Sequence, residues 1–270
     1  MAVNYRIRGD SPGVMQVNQL NQFVKDAGKT ALDYFGRVTV DYKKDDSVIT
    51  EADLAVEKFL YEKLTELIPG SKFLGEEGTG NSNHGDSEYL WIVDPIDGTS
   101  SYSKGLPIWG ISVGLYKNFR PYMASCYFPF VDDHFWLNSD GRAYLNDREL
   151  GNLSENEELR SESFTCIPSE LFKNCGLQLR MKSRAFGSTC YHILQVARDA
   201  AYSTLLCSYA IWDLAGAEAI AETTGARIFD LNGKMLDLSK IVESNNVPEP
   251  VVVTYPDRLQ KILDRIHYSK

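Results

Sequence analysis

The sequence predicts an α+β protein, with helices and then antiparallel strands in its first half and alternating strands and helices in its second. Three observations support this. Two amphipathic helical segments open the chain, and a run of short strands separated by turn residues occupies roughly residues 89–150. Beyond residue 150 strand and helix patterns take turns. The soft boundary there divides the chain into an N-terminal α+β lobe, 1–150, and a C-terminal α/β lobe, 151–270. A chain of 270 residues can bury a substantial core as one large domain or two intimate lobes.

Residues 16–37 place apolar side chains at near-helical spacing, and Gly36 closes the predicted helix. A charged turn, "KKDDS", leads to a second helix over 50–70, where Thr50 and Asp53 form a capping-box pattern and Pro69-Gly70 stop it. Tyr89 to Val93 read as a buried strand. "WGISVGLYKN", "PYMASCYF" and "DHFWLNSDGRAYLNDREL" continue as an antiparallel meander with Asp-Gly and Asn-Asp turns. In the second half, 191–206 reads as partly helical and 213–226 as a helix closed by Gly225.

Composition narrows the function. Hydrophobic residues make up 43% and charged residues 24%, as in ordinary globular proteins. A formal charge of −9 opposes general nucleic-acid binding, though a bound metal can reverse the sign of a site locally. Five scattered cysteines, Cys126, Cys166, Cys175, Cys190 and Cys207, show no C-x-x-C pair. They read as reduced thiols in a cytoplasm rather than as a disulfide framework or zinc site. No apolar run approaches the ~20 residues of a membrane helix, and the N-terminus has no apolar signal core. The expectation is a soluble, cytoplasmic protein.

The chemistry concentrates between Phe73 and Ser103, where Glu76, Glu77, Asp86, Glu88, Asp94 and Asp97 occur without a Lys or Arg. Asp86 and Glu88 read as a solvated loop. Asp94 and Asp97, in "WIVDPIDGTSSY", follow directly on an apolar strand and so belong at the edge of the core. Asp-Pro and Asp-Gly also form plain turns. Crowded carboxylates repel one another unless protonated or bound to a cation, and hard ions such as Mg²⁺ prefer oxygen ligands. "FLGEEG" (73–78) ends another strand in acids, and "AIWDLAGAEA" (210–219) sets Asp213 at a helix start, where it serves equally as an N-cap.

With "GEE", "WIVDPIDGT" and "WDLAGAEAIAETTGA" in that order, the chain resembles the inositol monophosphatase family of magnesium-dependent, lithium-sensitive phosphatases. The likeness takes in "SVITEAD" (47–53), "GRAYLND" (141–147), "FGST" (186–189) and "NGKMLDLS" (232–239). It implies an αβαβα layered sandwich, usually a homodimer, with two or three Mg²⁺ per site. It assigns Glu76, Asp94, Asp97, Asp213 and the Ile96 carbonyl as metal ligands. Thr99 and Glu76 would position the attacking water, and Asp53 would take the threonine's proton. Gly98, Thr99 and Asp97 would meet the substrate, as would Ser188 and Arg184.

The likeness departs at two places. Ser100-Ser101-Tyr102 replace the usual residues after D-G-T, beside the metals but outside the expected ligands. Leu206 stands seven positions before Asp213, where enzymes acting on inositol phosphates commonly carry a glutamate. It reads either as strand core or as a loss of grip on polyol hydroxyls, for which Ser208, Tyr209 or a partner subunit could substitute. Lys43 and Lys44 match a region with a lysine near the site and equally a solvated turn. His84, His134, His192 and His267 read as surface or packed residues.

The expected function is therefore Mg²⁺-dependent hydrolysis of a small polar monophosphate. Candidates are inositol phosphates, histidinol phosphate, fructose 1,6-bisphosphate and adenosine 3′,5′-bisphosphate. The non-enzymatic alternative, a scaffold working through protein contacts, would not need the intact acids and Thr99.

Overall fold

The computed structural model describes residues 12–44, 46–80, 87–151, 158–169, 171, 177–207, 209–244 and 250–268. Helix α1 (Pro12–Tyr34) leads to a hairpin, β1 (Val40–Tyr42) and β2 (Val48–Thr50), and then to α2 (Glu51–Leu67). Thr50 is the N-cap of α2, and the capping box with Asp53 is present.

Seven strands follow: β3 (Lys72–Gly75), β4 (Tyr89–Asp97), β5 (Gly110–Lys117), β6 (Arg120–Phe128), β7 (Asp133–Leu137), β8 (Ala143–Leu145) and β9 (Arg148–Leu150). They form one sheet in chain order, antiparallel except for the parallel pair β3–β4. A short helix, α3 (Thr99–Ser103), leaves the end of β4.

The second half supplies β10 (Phe164–Cys166), β11 (Leu177–Leu179), β12 (Lys182–Arg184), α4 (Thr189–Ala197), β13 (Ser203–Leu206) and α5 (Ile211–Thr223). It ends with β14 (Arg227–Asp230), α6 (Leu238–Ser244), β15 (Val251–Thr254), α7 (Leu259–Leu263) and β16 (Ile266–Tyr268). The five-stranded sheet runs β12-β10-β13-β15-β14, and β11 pairs with β16 apart from it.

Side chains of β4 alternate between two covered faces, as the period of a strand requires. Trp91 and Val93 join Leu20 and Val24 of α1 and Leu60 and Leu64 of α2. Leu90 and Ile92 join Ile193 of α4 and Ala217 and Ile220 of α5. Those two helices meet the second sheet on their other side, through Leu206, Ile228, Val251 and Val253. Leu205, Val252 and Ile262 of α7 fill the outer face. The layers therefore read α-β-α-β-α. A helix held between two sheets is covered on nearly every side, which suits the small and apolar residues of α5 from Leu214 to Ala221, interrupted by the buried Glu218.

Several boundaries moved. The first helix begins at Pro12 and ends at Tyr34, ahead of Gly36. Residues 191–206 divide into the end of α4 and strand β13. The cysteine expectation is corrected: Cys126, Cys166 and Cys190 are free and buried, but Cys207 is disulfide-bonded. Its partner, like Asp86, His84 and Ser208, lies outside the described residues. Sequence spacing misleads here because disulfide formation depends on distance in three dimensions.

Candidate active site

Strand β4 does not stop at Val93 but continues buried to Asp97, and its register with β5 shifts between Asp94 and Asp97. Pro95 has no N–H for the ladder, so the strand bulges there. The bulge leaves Asp94 and Asp97 at the core's edge, 1% and 2% exposed. Asp94 accepts the N–H of Ile96 at 3.1 Å. Gly98 then takes φ 90°, a left-handed geometry that glycine adopts without strain, and starts α3 at Thr99.

Asp213 arrives from the other half, in the first turn of α5, where its Oδ2 accepts the Ala210 N–H at 2.6 Å. One carboxylate oxygen each from Asp94, Asp97 and Asp213 lie within 4.8 Å of one another. Asp94 also faces Glu76 and Asp213, whose like charges oppose its ionisation. Burial, then repulsion from Glu76, Asp97 and Asp213, raises Asp94 well above the usual carboxylate range. Burial and Asp97 push Asp213 up to about 8. Burial pushes Asp97 to about 6, against the lowering effect of its hydrogen bonds.

Those bonds tie Asp97 to the second half. It accepts the Ser188 hydroxyl, the Thr189 N–H at 3.0 Å and the Cys190 N–H at 3.2 Å, all at the start of α4. The Thr99 hydroxyl is held between Asp53 Oδ1 at 3.1 Å and the Ile96 carbonyl at 2.9 Å. Asp53 is wholly buried on α2, and its Oδ2 accepts both the N–H and the hydroxyl of Thr50. Burial raises it to about 6 although Thr50 and Thr99 pull it down.

Lys43 belongs to the site rather than to a solvated turn. Its ammonium lies 2.8 Å from Glu76 and 2.9 Å from Glu77. Burial disfavours its charge, but the two glutamates outweigh that and raise its pKa. Burial in turn lifts Glu77 to about 7 despite Lys43. Glu57 was missed altogether: wholly buried on α2, it accepts the N–H groups of Glu77 and Thr79. Its signal was available, since Asp53 and Glu57 are one helical turn apart on one face.

The remaining candidates make other contacts. Arg184 is exposed on β12, packs its guanidinium 4.9 Å from the Phe164 ring and donates to the Ser183 carbonyl. Leu206 is 2% exposed, pairs with Val251 and belongs to the core, so the strand-core reading holds. His134 and His192 are packed, bonded to Ser125 and to the Phe186 N–H, and burial lowers them to about 3 and about 4.

The donor set fits a hard divalent cation. It is all oxygen and clustered, and like charges gathered this closely are relieved by a proton or a cation. A family model described as the inositol monophosphatase family matches residues 15–255. The chain belongs to that family, and with it to the phosphoric monoester hydrolases.

Among its relatives is the Aquifex aeolicus protein named fructose-1,6-bisphosphatase/inositol-1-monophosphatase, 26% identical over 81% of this chain and 86% of the relative. The Chlorobaculum parvum histidinol-phosphatase is 28% identical over 83% and 90%. The solved IMPase of Thermotoga maritima superposes with a TM-score of 0.78 at 19% identity, covering 93% of this chain and 96% of that one. That likeness concerns the fold.

Proposed function

We propose that this chain is a Mg²⁺-dependent phosphomonoesterase acting on a small polar monophosphate of the inositol monophosphate kind. The observation that carries the proposal is the gathering of Asp94, Asp97 and Asp213 within 4.8 Å, from both halves of the chain, beside the Thr99–Asp53 pair. Glu76, Asp94, Asp97, Asp213 and the Ile96 carbonyl would hold two or three ions. Bound there, divalent ions would lower the pKa of water, neutralise phosphoryl oxygens and stabilise the leaving oxygen. So many acids suit a reaction whose enzymatic acceleration reaches ~10²¹, when one general base typically supplies only ~10²–10⁴.

The chain's own residues orient and move protons. Thr99 Oγ1, facing the water, passes its proton to Asp53 Oδ1 as it takes one up, and Glu76 accepts the water's other hydrogen bond. Attack on phosphorus forms one P–O bond and breaks the ester bond, giving inorganic phosphate and an alcohol protonated from solvent. Gly98 and Thr99 offer backbone N–H groups to the phosphate. Ser188, which donates to Asp97, would meet the substrate from the second half of the chain. The working assembly is a homodimer. The named relatives make histidinol phosphate and fructose 1,6-bisphosphate the substrates to test beside inositol 1-phosphate and adenosine 3′,5′-bisphosphate. No described helix is long and apolar enough to cross a membrane.

Phosphate release from that panel is measured with Mg²⁺, with a chelator, and with Li⁺ in the millimolar range. Release that requires Mg²⁺, stops with chelator and is inhibited by Li⁺ is expected. Full turnover in chelator-treated protein would end the metal-dependent reading.

A further inference from the structure

Helix α2 presents two wholly buried acids from one face, Asp53 and Glu57. Asp53 reaches Thr99, whereas Glu57 reaches the turn that follows β3. Its Oε2 accepts the Glu77 N–H at 2.8 Å and its Oε1 accepts the Thr79 N–H at 2.8 Å. Buried amides need such partners, and this turn makes few of its own. Glu76 N–H donates to the Val93 carbonyl at 3.2 Å, and Gly78 N–H to the Gly75 carbonyl at 3.3 Å.

Glu76 is therefore fixed on both sides, by β4 through its own amide and by Glu57 through the next. Gly75 is the third part of the joint. A Cβ there would collide with Glu57 Oε2, so the carboxylate occupies the space a side chain would need.

We propose that Glu57 is a positioning residue: it sets the 76–79 turn and thereby aims the Glu76 carboxylate at Asp94 and the cation site. Lys43 holds the same pair of glutamates from the other direction, so Glu57 fixes the backbone while Lys43 fixes the side chains. The proposal rests on the functional reading above for the role of Glu76, and its cation arm is independent of turnover.

The test compares wild type with Glu57→Gln, Gly75→Ala and the double variant Glu57→Ala/Gly75→Ala. Glutamine keeps the size of Glu57 but exchanges one acceptor oxygen for an NH₂ group, which cannot receive an amide N–H. Metal-free protein is titrated with Mg²⁺ while the melting temperature is followed, and amide exchange is read at Glu77 and Thr79. For turnover, kcat, KM and the Mg²⁺ half-saturation are measured with inositol 1-phosphate, well below every melting temperature.

Glu57→Gln is expected to weaken Mg²⁺ half-saturation by about 10–100-fold, the usual effect of removing a group that orients a metal ligand. It should lower kcat with KM little changed and speed exchange at the two amides. Gly75→Ala should shift the same quantities. The double variant should lose no more than the weaker-binding single variant, because the two act through one contact.

Wild-type Mg²⁺ half-saturation in both single variants overturns the proposal. So does loss of the fold in both, which would assign Glu57 to stability alone. A wild type that binds Mg²⁺ but hydrolyses nothing ends the functional reading while the Mg²⁺ titration still decides Glu57. A wild type whose melting ignores Mg²⁺ ends both.

Discussion

Asparagine in place of Asp213 separates two demands made on one side chain. Its amide oxygen can still accept the Ala210 N–H, which Asp213 takes at 2.6 Å. Its neutrality removes repulsion against Asp97 and Glu76, two of the causes that push Asp213 up to about 8. Asp213→Asn should therefore melt higher than wild type in metal-free buffer at pH 8, yet lose at least ~10²-fold in turnover as a poorer cation ligand. Melting curves with chelator and kcat with Mg²⁺ check both halves. Unchanged stability with activity retained would make Asp213 the capping-box partner of Ala210, which is the N-cap, and nothing more.

At this scale the sequence was legible where a residue's role follows from its neighbours in the chain. Thr50, Asp53, Asp94 and Asp97 are of that kind. It was illegible where the partner lies far off, as with Lys43 on Glu76 and Glu77 or Glu57 on the Thr79 amide. Leu206 shows the converse. A comparison of positions raised a substrate role, and its pairing with Val251 in a buried sheet answers with packing.

Among the elements, α5 has the most to lose from a small displacement, because it carries Asp213 and lies across both sheets. Gly216, three residues after Asp213, lets the helix approach the first sheet. A Cβ there would collide with Ser112 Oγ and come within 3.0 Å of Cys126 Sγ and 3.2 Å of the Val113 nitrogen. Overpacking of this kind typically costs about 1–3 kcal/mol. Gly216→Ala should lower the melting temperature and also reduce turnover, since pushing α5 away moves Asp213 off Asp94 and Asp97. Mg²⁺ half-saturation, measured below the melting temperature, distinguishes displacement of the site from general weakening. An unchanged value would mean that the helix end holds Asp213 in place independently of its middle. The helix at α5 and the buried strand from Tyr89 to Val93 were readable from residue pattern, whereas the layering followed only from the family resemblance. The continuation of β4 through Pro95 was not, because Asp-Pro in isolation signals a turn and only pairing with β5 on both sides of the bulge keeps the strand going.

Over the whole molecule the site's acids set a pH dependence opposite in sign to that of most proteins. An acid whose folded pKa lies above its unfolded value keeps its proton in the folded state after the unfolded chain has lost it. Its stabilising contribution is complete below the unfolded pKa, about 4, and is lost as pH rises through the folded value. Burial lifts Glu77 to about 7, burial and Asp97 lift Asp213 to about 8, and Asp94 is raised further than the usual range allows. His134 and His192, depressed by burial to about 3 and about 4, act the other way. Their contribution is present above about 6.5 and lost on acidification, so it is constant at higher pH. Between about pH 6.5 and 8 the acids alone remain, and metal-free protein should melt lower as pH rises. A divalent cation competes with the same protons, binds more tightly as they leave, and stabilises the folded state by RT ln(1 + [L]/Kd). The slope of melting temperature against pH should therefore be negative in chelator and flat or positive in excess Mg²⁺. Equal slopes in the two buffers would show that these carboxyls do not bind the ion, and would return the cluster at the end of β4 to a merely structural role.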